Sequence, residues 1–218
     1  MTRKEYDKFD KANANFQALT PLSFIERSAK VFPDHPAIVY GEIKYSWKEL
    51  YARTIKLASA LTKLGIKHGD TVSILSANTP EMIEAHFGVP MSGAVLNTIN
   101  TRLDAETIGY ILNHSEAKVF IVDSELSPQA ESAIELSKNK DLYVIDIVDF
   151  QNAREPKTIG HITYDKFIGS GDADFDWQLP NDEWDAISLN YTSGTSGKPK
   201  GVVSVSYTHL RAHETIDD

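Results

Sequence analysis

Residues 71–122, TVSILSANTPEMIEAHFGVPMSGAVLNTINTRLDAETIGYILNHSEAKVFIV, decide the fold of this chain. Three short apolar runs, Thr71 to Ser76, Ala94 to Asn97 and Lys118 to Val122, are bounded by turn residues and read as strands. Between them stand two helix starts: Thr79 ahead of Pro80, and Asp104 ahead of Ala105. Strands that alternate with helices of this length predict an α/β fold, a mainly parallel sheet with flanking helices.

The pattern extends in both directions. Upstream, Thr20-Pro21 predicts an N-cap followed by proline at the first helical position, with Leu22, Phe24, Ile25, Ala29 and Phe32 as the apolar face. Ala37 to Tyr40 and Ile43 to Tyr45 flank Gly41-Glu42 and predict a hairpin. Ser46 and Glu49 then form a capping box for a long helix that Gly65 is placed to end. Downstream, a helix is expected from Ser127-Pro128, a strand over Leu142 to Ile147, and a last strand over Ala186 to Asn190. Between Gly169 and Asp185 lies the acidic stretch GSGDADFDWQLPNDEWD. Its glycine and its terminal glutamate are not where a calcium-binding loop needs them, so it reads as a solvated connector.

The last strand delivers the chain into Tyr191-Thr192-Ser193-Gly194-Thr195-Ser196-Gly197-Lys198-Pro199-Lys200-Gly201. Glycines let a backbone approach a polyanion, hydroxyls and N–H groups donate to it, and lysines add charge. The segment is not a Walker A loop, because Lys198 is followed by proline and Thr192 stands where the first glycine belongs. A flexible linker shares this composition but does not need Pro-Lys-Gly at fixed spacing after an apolar strand. The segment also falls beyond the carboxyl end of a strand, where ligands of open α/β sheets gather.

Composition narrows the partners. The 218 residues are 41% hydrophobic and 24% charged, as in globular domains, and carry a net charge of −9. Diffuse attraction to nucleic acid or to an anionic membrane is therefore not expected. A bound polyanion must be held by a local cluster such as Lys198 and Lys200. The lack of cysteine excludes disulfides, thiolate metal sites and thiol nucleophiles, and fits a reducing compartment. No signal peptide is legible and no segment approaches the ~20 apolar residues of a membrane span, so a cytoplasmic protein is expected. Oligomeric state is not legible.

The string from Tyr191 to Gly201 resembles, at every constrained position, the signature [YF]-T-S-G-[ST]-[ST]-G-x-P-K-G of the adenylate-forming superfamily. That superfamily comprises acyl-CoA synthetases, luciferase-like enzymes and peptide-synthetase adenylation domains. Gly69-Asp70, Ala85-His-Phe-Gly88, Gly93 to Asn97, Arg102-Leu103 and Asp182 to Asp185 extend the likeness over Thr20 to Val203. It is strongest to the N-terminal part of bacterial acyl-CoA synthetases of the medium-chain fatty-acid type, with peptide-synthetase adenylation domains next. The resemblance implies ATP, Mg²⁺ and CoA, and a small-molecule carboxylic acid activated as its acyl-adenylate. Thr192, Ser193, Gly194, Thr195, Ser196, Gly197 and Gly201 would hold the ATP phosphates, and Lys200 would be the catalytic cation. Lys198, at the variable position, would only support them.

Several expectations are bounded by the same resemblance. Residues 1–19 are a polar segment and 20–203 an incomplete adenylation domain. Val205 to Thr215 matches one frame of a sequencing adaptor, so residues 204–218 are expected to be non-native, and His209 and His213 receive no metal role. The adenine, metal and C-terminal lysine contacts of the superfamily have no counterpart in the chain, which is therefore expected to be inactive as written. No metal ligand is assigned. His86 reads as a packed core residue, and Arg102, beside Asn97 and Asn100, as ordinary turn chemistry.

Overall fold

A computed structural model describes residues 12, 14, 16–149, 157–192 and 198–207. Helix α1 (Leu22–Val31) leads to the antiparallel hairpin β1 (Pro36–Tyr40) and β2 (Ile43–Ser46), and then to α2 (Trp47–Leu64). The alternating part follows as β3 (Thr71–Leu75), α3 (Pro80–Met91), β4 (Val95–Thr98), α4 (Ala105–His114), β5 (Val119–Asp123), α5 (Ser127–Leu136) and β6 (Tyr143–Ile147). The chain ends with β7 (Ile162–Thr163), α6 (Tyr164–Gly169), β8 (Ala186–Thr192) and β9 (Lys200–Val205). A seven-stranded sheet has the order β7-β6-β5-β3-β4-β8-β9 and is parallel except for the β8–β9 pair.

Local chemistry accounts for the boundaries. Ser46 Oγ accepts from the Glu49 amide at 3.3 Å while Glu49 Oε2 accepts from the Ser46 amide at 2.8 Å, so α2 starts with a complete capping box. It stops at Gly65, whose φ of 94° is open to glycine at little cost. Asp104 caps α4 by accepting from Thr107 N at 2.8 Å. At α1 the cap is displaced by one residue: Pro21 takes the cap position and Thr20 Oγ1 accepts from Leu22 N at 3.3 Å.

The sheet is covered on both faces, and the strands divide their side chains with period two. On β5, Val119 and Ile121 face α2, α3 and α6 through Leu57, Leu61, Ala85 and Phe167, while Phe120 and Val122 face α4 and α5 through Ile108, Ile111, Ala130 and Ala133. These four β5 side chains are fully buried, each contributing about 1.5–3 kcal/mol by leaving water. Helix α1 packs outside α2 and α3 through Leu22 and Ile25. Helices α2 and α3 approach closely at Gly88, where an added Cβ would lie 2.7 Å from Leu57 Cδ2.

Four features depart from the expectations. The two-residue β7 and the single-turn-and-a-half α6 lie in a stretch with no legible pattern, and β9 adds an antiparallel edge to the parallel sheet. The acidic connector keeps Asp172, Asp174 and Asp176 exposed but is anchored by its aromatics: Phe175 and Trp177 pack beside α1 and α2, and Trp177 Nε1 donates to Tyr51 Oη at 3.0 Å. Among the described residues no helix is long and apolar enough to cross a membrane.

Candidate functional site at the end of strand β8

Strand β8 runs parallel to β4 in the register Leu96↔Ser188 and is tied to it by side chains. Asn97, fully buried on β4, donates from Nδ2 to the Leu189 carbonyl at 2.7 Å, and its Oδ1 accepts from Ser73 Oγ on β3 at 2.9 Å. One position on, Thr98 Oγ1 donates to Asn190 Oδ1 at 2.8 Å. These bonds set the height at which β8 leaves the sheet. An antiparallel ladder then brings the chain back beside itself, with Tyr191↔Gly201 and Thr192↔Lys200 as partners.

Thr192 and Lys200 therefore sit opposite one another at the carboxyl end of β8, both exposed, with Gly201 next to them. Gly201 has little room for a side chain, since a Cβ there would meet Leu189 Cδ1 at 3.0 Å. Ser193, Gly194, Thr195, Ser196 and Gly197 lie outside the described residues. Lys198 is exposed, with Nζ 5.6 Å from the centre of the Tyr110 ring. On the α4 side, His114 Nδ1 and Tyr191 Oη are 2.8 Å apart. Burial pushes the Tyr191 phenol up to about 12, so it is neutral at physiological pH.

His86 corrects the sequence reading: it is exposed, not packed in the core. Its Nδ1 is 2.7 Å from the Met82 carbonyl one turn back, and the ring stands at the boundary of two clefts. One, of about 230 Å³, is walled by Phe87, Pro90, Leu96 and Ile187; the other, of about 580 Å³, by Asn78, Thr98 and Asn100. Arg102 is exposed, and its amide donates to Asn100 Oδ1 at 3.0 Å, the turn chemistry expected. Farther along the sheet, hairpin β1–β2 reaches over the end of β6, where Tyr40 Oη donates to Asp149 Oδ2 at 2.5 Å. No group of three or more metal-ligating side chains occurs among the described residues.

Asn97, Thr98, Tyr110 and His114 were not singled out as site-building residues by the sequence reading. A polar Asn-Thr pair closing an apolar strand was the available signal for the first two.

A family model described as AMP-binding enzyme matches residues 25–216. The chain belongs to the AMP-binding enzyme family. Among its relatives this chain is 43% identical over 213 residues to an acetate–CoA ligase of Humulus lupulus, covering 93% of the chain and 38% of that protein. It is 43% identical over 210 residues to a peroxisomal acetate/butyrate–CoA ligase of Arabidopsis thaliana, covering 92% and 37%. With a trans-cinnamate:CoA ligase of Petunia hybrida it shares 39% over 219 residues, covering 94% and 38%. The chain thus spans well under half the length of the curated relatives it matches.

Solved structures agree with the fold of the chain. The anthranilate CoA ligase AuaEII, in complex with anthranoyl-AMP, superposes with a TM-score of 0.78 at 25% identity, covering 90% of this chain and 36% of that one. The N-terminal domain of FACL13 from Mycobacterium tuberculosis gives a TM-score of 0.72 at 27% identity, covering 92% and 48%.

Proposed function

We propose that this chain is the phosphate-binding front part of an ATP-dependent acid–CoA ligase that works through an acyl-adenylate. The observation that carries the reading is the pairing of Thr192 with Lys200 at the carboxyl end of β8, inside a segment rich in hydroxyls, glycines and lysines. In the first half-reaction a carboxylate oxygen attacks the α-phosphorus of ATP, the α–β phosphoanhydride bond breaks, and pyrophosphate leaves. In the second, the CoA thiol attacks the acyl carbon and AMP leaves with the bonding electron pair.

The leaving pyrophosphate carries several negative charges, so the segment must hold charge that grows along the reaction. Lys200 supplies a cation there, the Thr192 hydroxyl a donor, and Gly201 the close backbone approach. Mg²⁺, when bound, neutralises phosphate charge. The described residues include no group of three or more acidic or histidine side chains to ligate it. The substrate is a small-molecule carboxylic acid. Relatives named for acetate, butyrate and cinnamate support short-chain and aromatic acids beside the medium-chain fatty acids suggested by the sequence.

The test is ATP–pyrophosphate exchange by this sequence within a polypeptide of its relatives' length, offered acetate, butyrate, octanoate and cinnamate. Acid-dependent exchange with at least one acid is expected. Exchange with none of them overturns the assignment.

A further inference from the structure

The last turns of α4 carry an aromatic pair that touches the phosphate segment on both of its flanks. His114 Nδ1 meets Tyr191 Oη at 2.8 Å, with the two rings edge-on at 5.7 Å and 82°. Tyr110, one turn earlier, lies against His114 at 5.4 Å, and its ring faces Lys198 Nζ at 5.6 Å. Tyr191 enters the segment and Lys198 leaves it, so one helix holds both ends.

The platform is packed into the core. Asp104 caps α4, and Ile108, Ile111 and Leu112 bury it against β5 and α5. A neutral Tyr191 phenol can donate to an unprotonated His114 Nδ1, the geometry of a single directional bond. Neither contact is needed to close the core, since His114 is exposed and Tyr191 only half-buried.

We propose that His114 and Tyr110 are positioning residues that fix the spacing of the phosphate-binding segment by holding Tyr191 at its entry and Lys198 at its exit. The proposal rests on the phosphate reading above, but its geometry can be tested apart from it.

The experiment compares the 218-residue chain with His114→Ala, His114→Gln, Tyr191→Phe and Lys200→Ala. Two quantities are read: amide hydrogen exchange at Tyr191, Thr192, Lys200 and Gly201, and pyrophosphate affinity by ³¹P NMR titration. His114→Ala should speed exchange at those four amides by about 5- to 10-fold, as expected for one lost hydrogen bond. It should weaken pyrophosphate by a similar factor, with exchange in β5 and the thermal midpoint unchanged. Tyr191→Phe, which keeps the ring and loses only the hydroxyl, should match it, and His114→Gln, whose amide can still meet the phenol, should recover most of the loss. Lys200→Ala should weaken pyrophosphate without speeding exchange. Parent-like exchange in both His114→Ala and Tyr191→Phe overturns the proposal. Accelerated exchange in those variants, with no pyrophosphate uptake by the parent, upholds the clamp and overturns the phosphate reading instead.

Discussion

Asn97 and Leu189, 92 residues apart in sequence, are joined by a 2.7 Å bond from the Asn97 amide to the Leu189 carbonyl. The other end of the same carboxamide accepts from Ser73, so one buried side chain spans β3, β4 and β8. Removing it takes this partner from the half-buried Leu189 carbonyl and from the fully buried Ser73 hydroxyl. Asn97→Ala should therefore lower stability by about 2–4 kcal/mol, read as the shift of the urea unfolding midpoint. A change under about 0.5 kcal/mol would mean that β8 is held by its backbone alone.

Gly88 marks the crossing of α2 and α3. In an exposed helix, alanine would gain up to about 1 kcal/mol over glycine. Here the added methyl would meet Leu57 Cδ2 at 2.7 Å in the core, and overpacking of this kind costs about 1–3 kcal/mol. Gly88→Ala should thus destabilise the chain, and combining it with Leu57→Ala should cost less than the two effects added. Additive costs would contradict the contact.

Glu84 supplies a pH dependence. Burial pushes its carboxyl up to about 7, against the pull of Arg53, whose Nε lies 2.5 Å from Glu84 Oε1. Because the folded value lies above the unfolded 4.5, the native state holds the proton more tightly. The stability this gives is fully present below pH 4.5 and is lost as pH rises through 7. Glu84→Gln should flatten the stability curve between pH 4.5 and 7, a difference on the order of a few kcal/mol. Parallel curves for parent and variant would rule Glu84 out as the titrating group.

The 218-residue chain spans 38% of the Humulus lupulus acetate–CoA ligase it matches and, offered ATP with acetate or octanoate, should give no pyrophosphate burst. A stoichiometric burst measured by quench flow would show that this part of the family's domain suffices for adenylation.

Much of the architecture was legible because each early element carries its own local signal. Ser46 with Glu49, Asp104 with Thr107, and Gly65 are short-range chemistry, and β3 to β6 are apolar runs long enough to stand out. Strand β7 has two residues and α6 has six, too few for any period, and β9 is defined by its pairing with β8 rather than by its own sequence. His86 was misplaced for a related reason. Helix α3 is apolar on nearly every side, so its sequence does not show which stripe the sheet leaves open. The structure shows that Ile83, His86, Phe87 and Pro90 form that stripe. The residue types from Tyr191 to Gly201 are what suggest phosphate chemistry. The contacts made by Asn97, Thr98 and His114 were not legible, because their partners lie 77 to 92 residues away in sequence.

The segment around Lys200 is expected to bind phosphate, and the direct measurement is a ³¹P NMR titration of pyrophosphate into the parent chain and into Lys200→Ala. Binding by the parent, weakened roughly 10- to 150-fold in the variant, is predicted from the 1.5–3 kcal/mol typical of a hydrogen bond to a charged group. Equal affinity in the two proteins, or none in the parent, would contradict it.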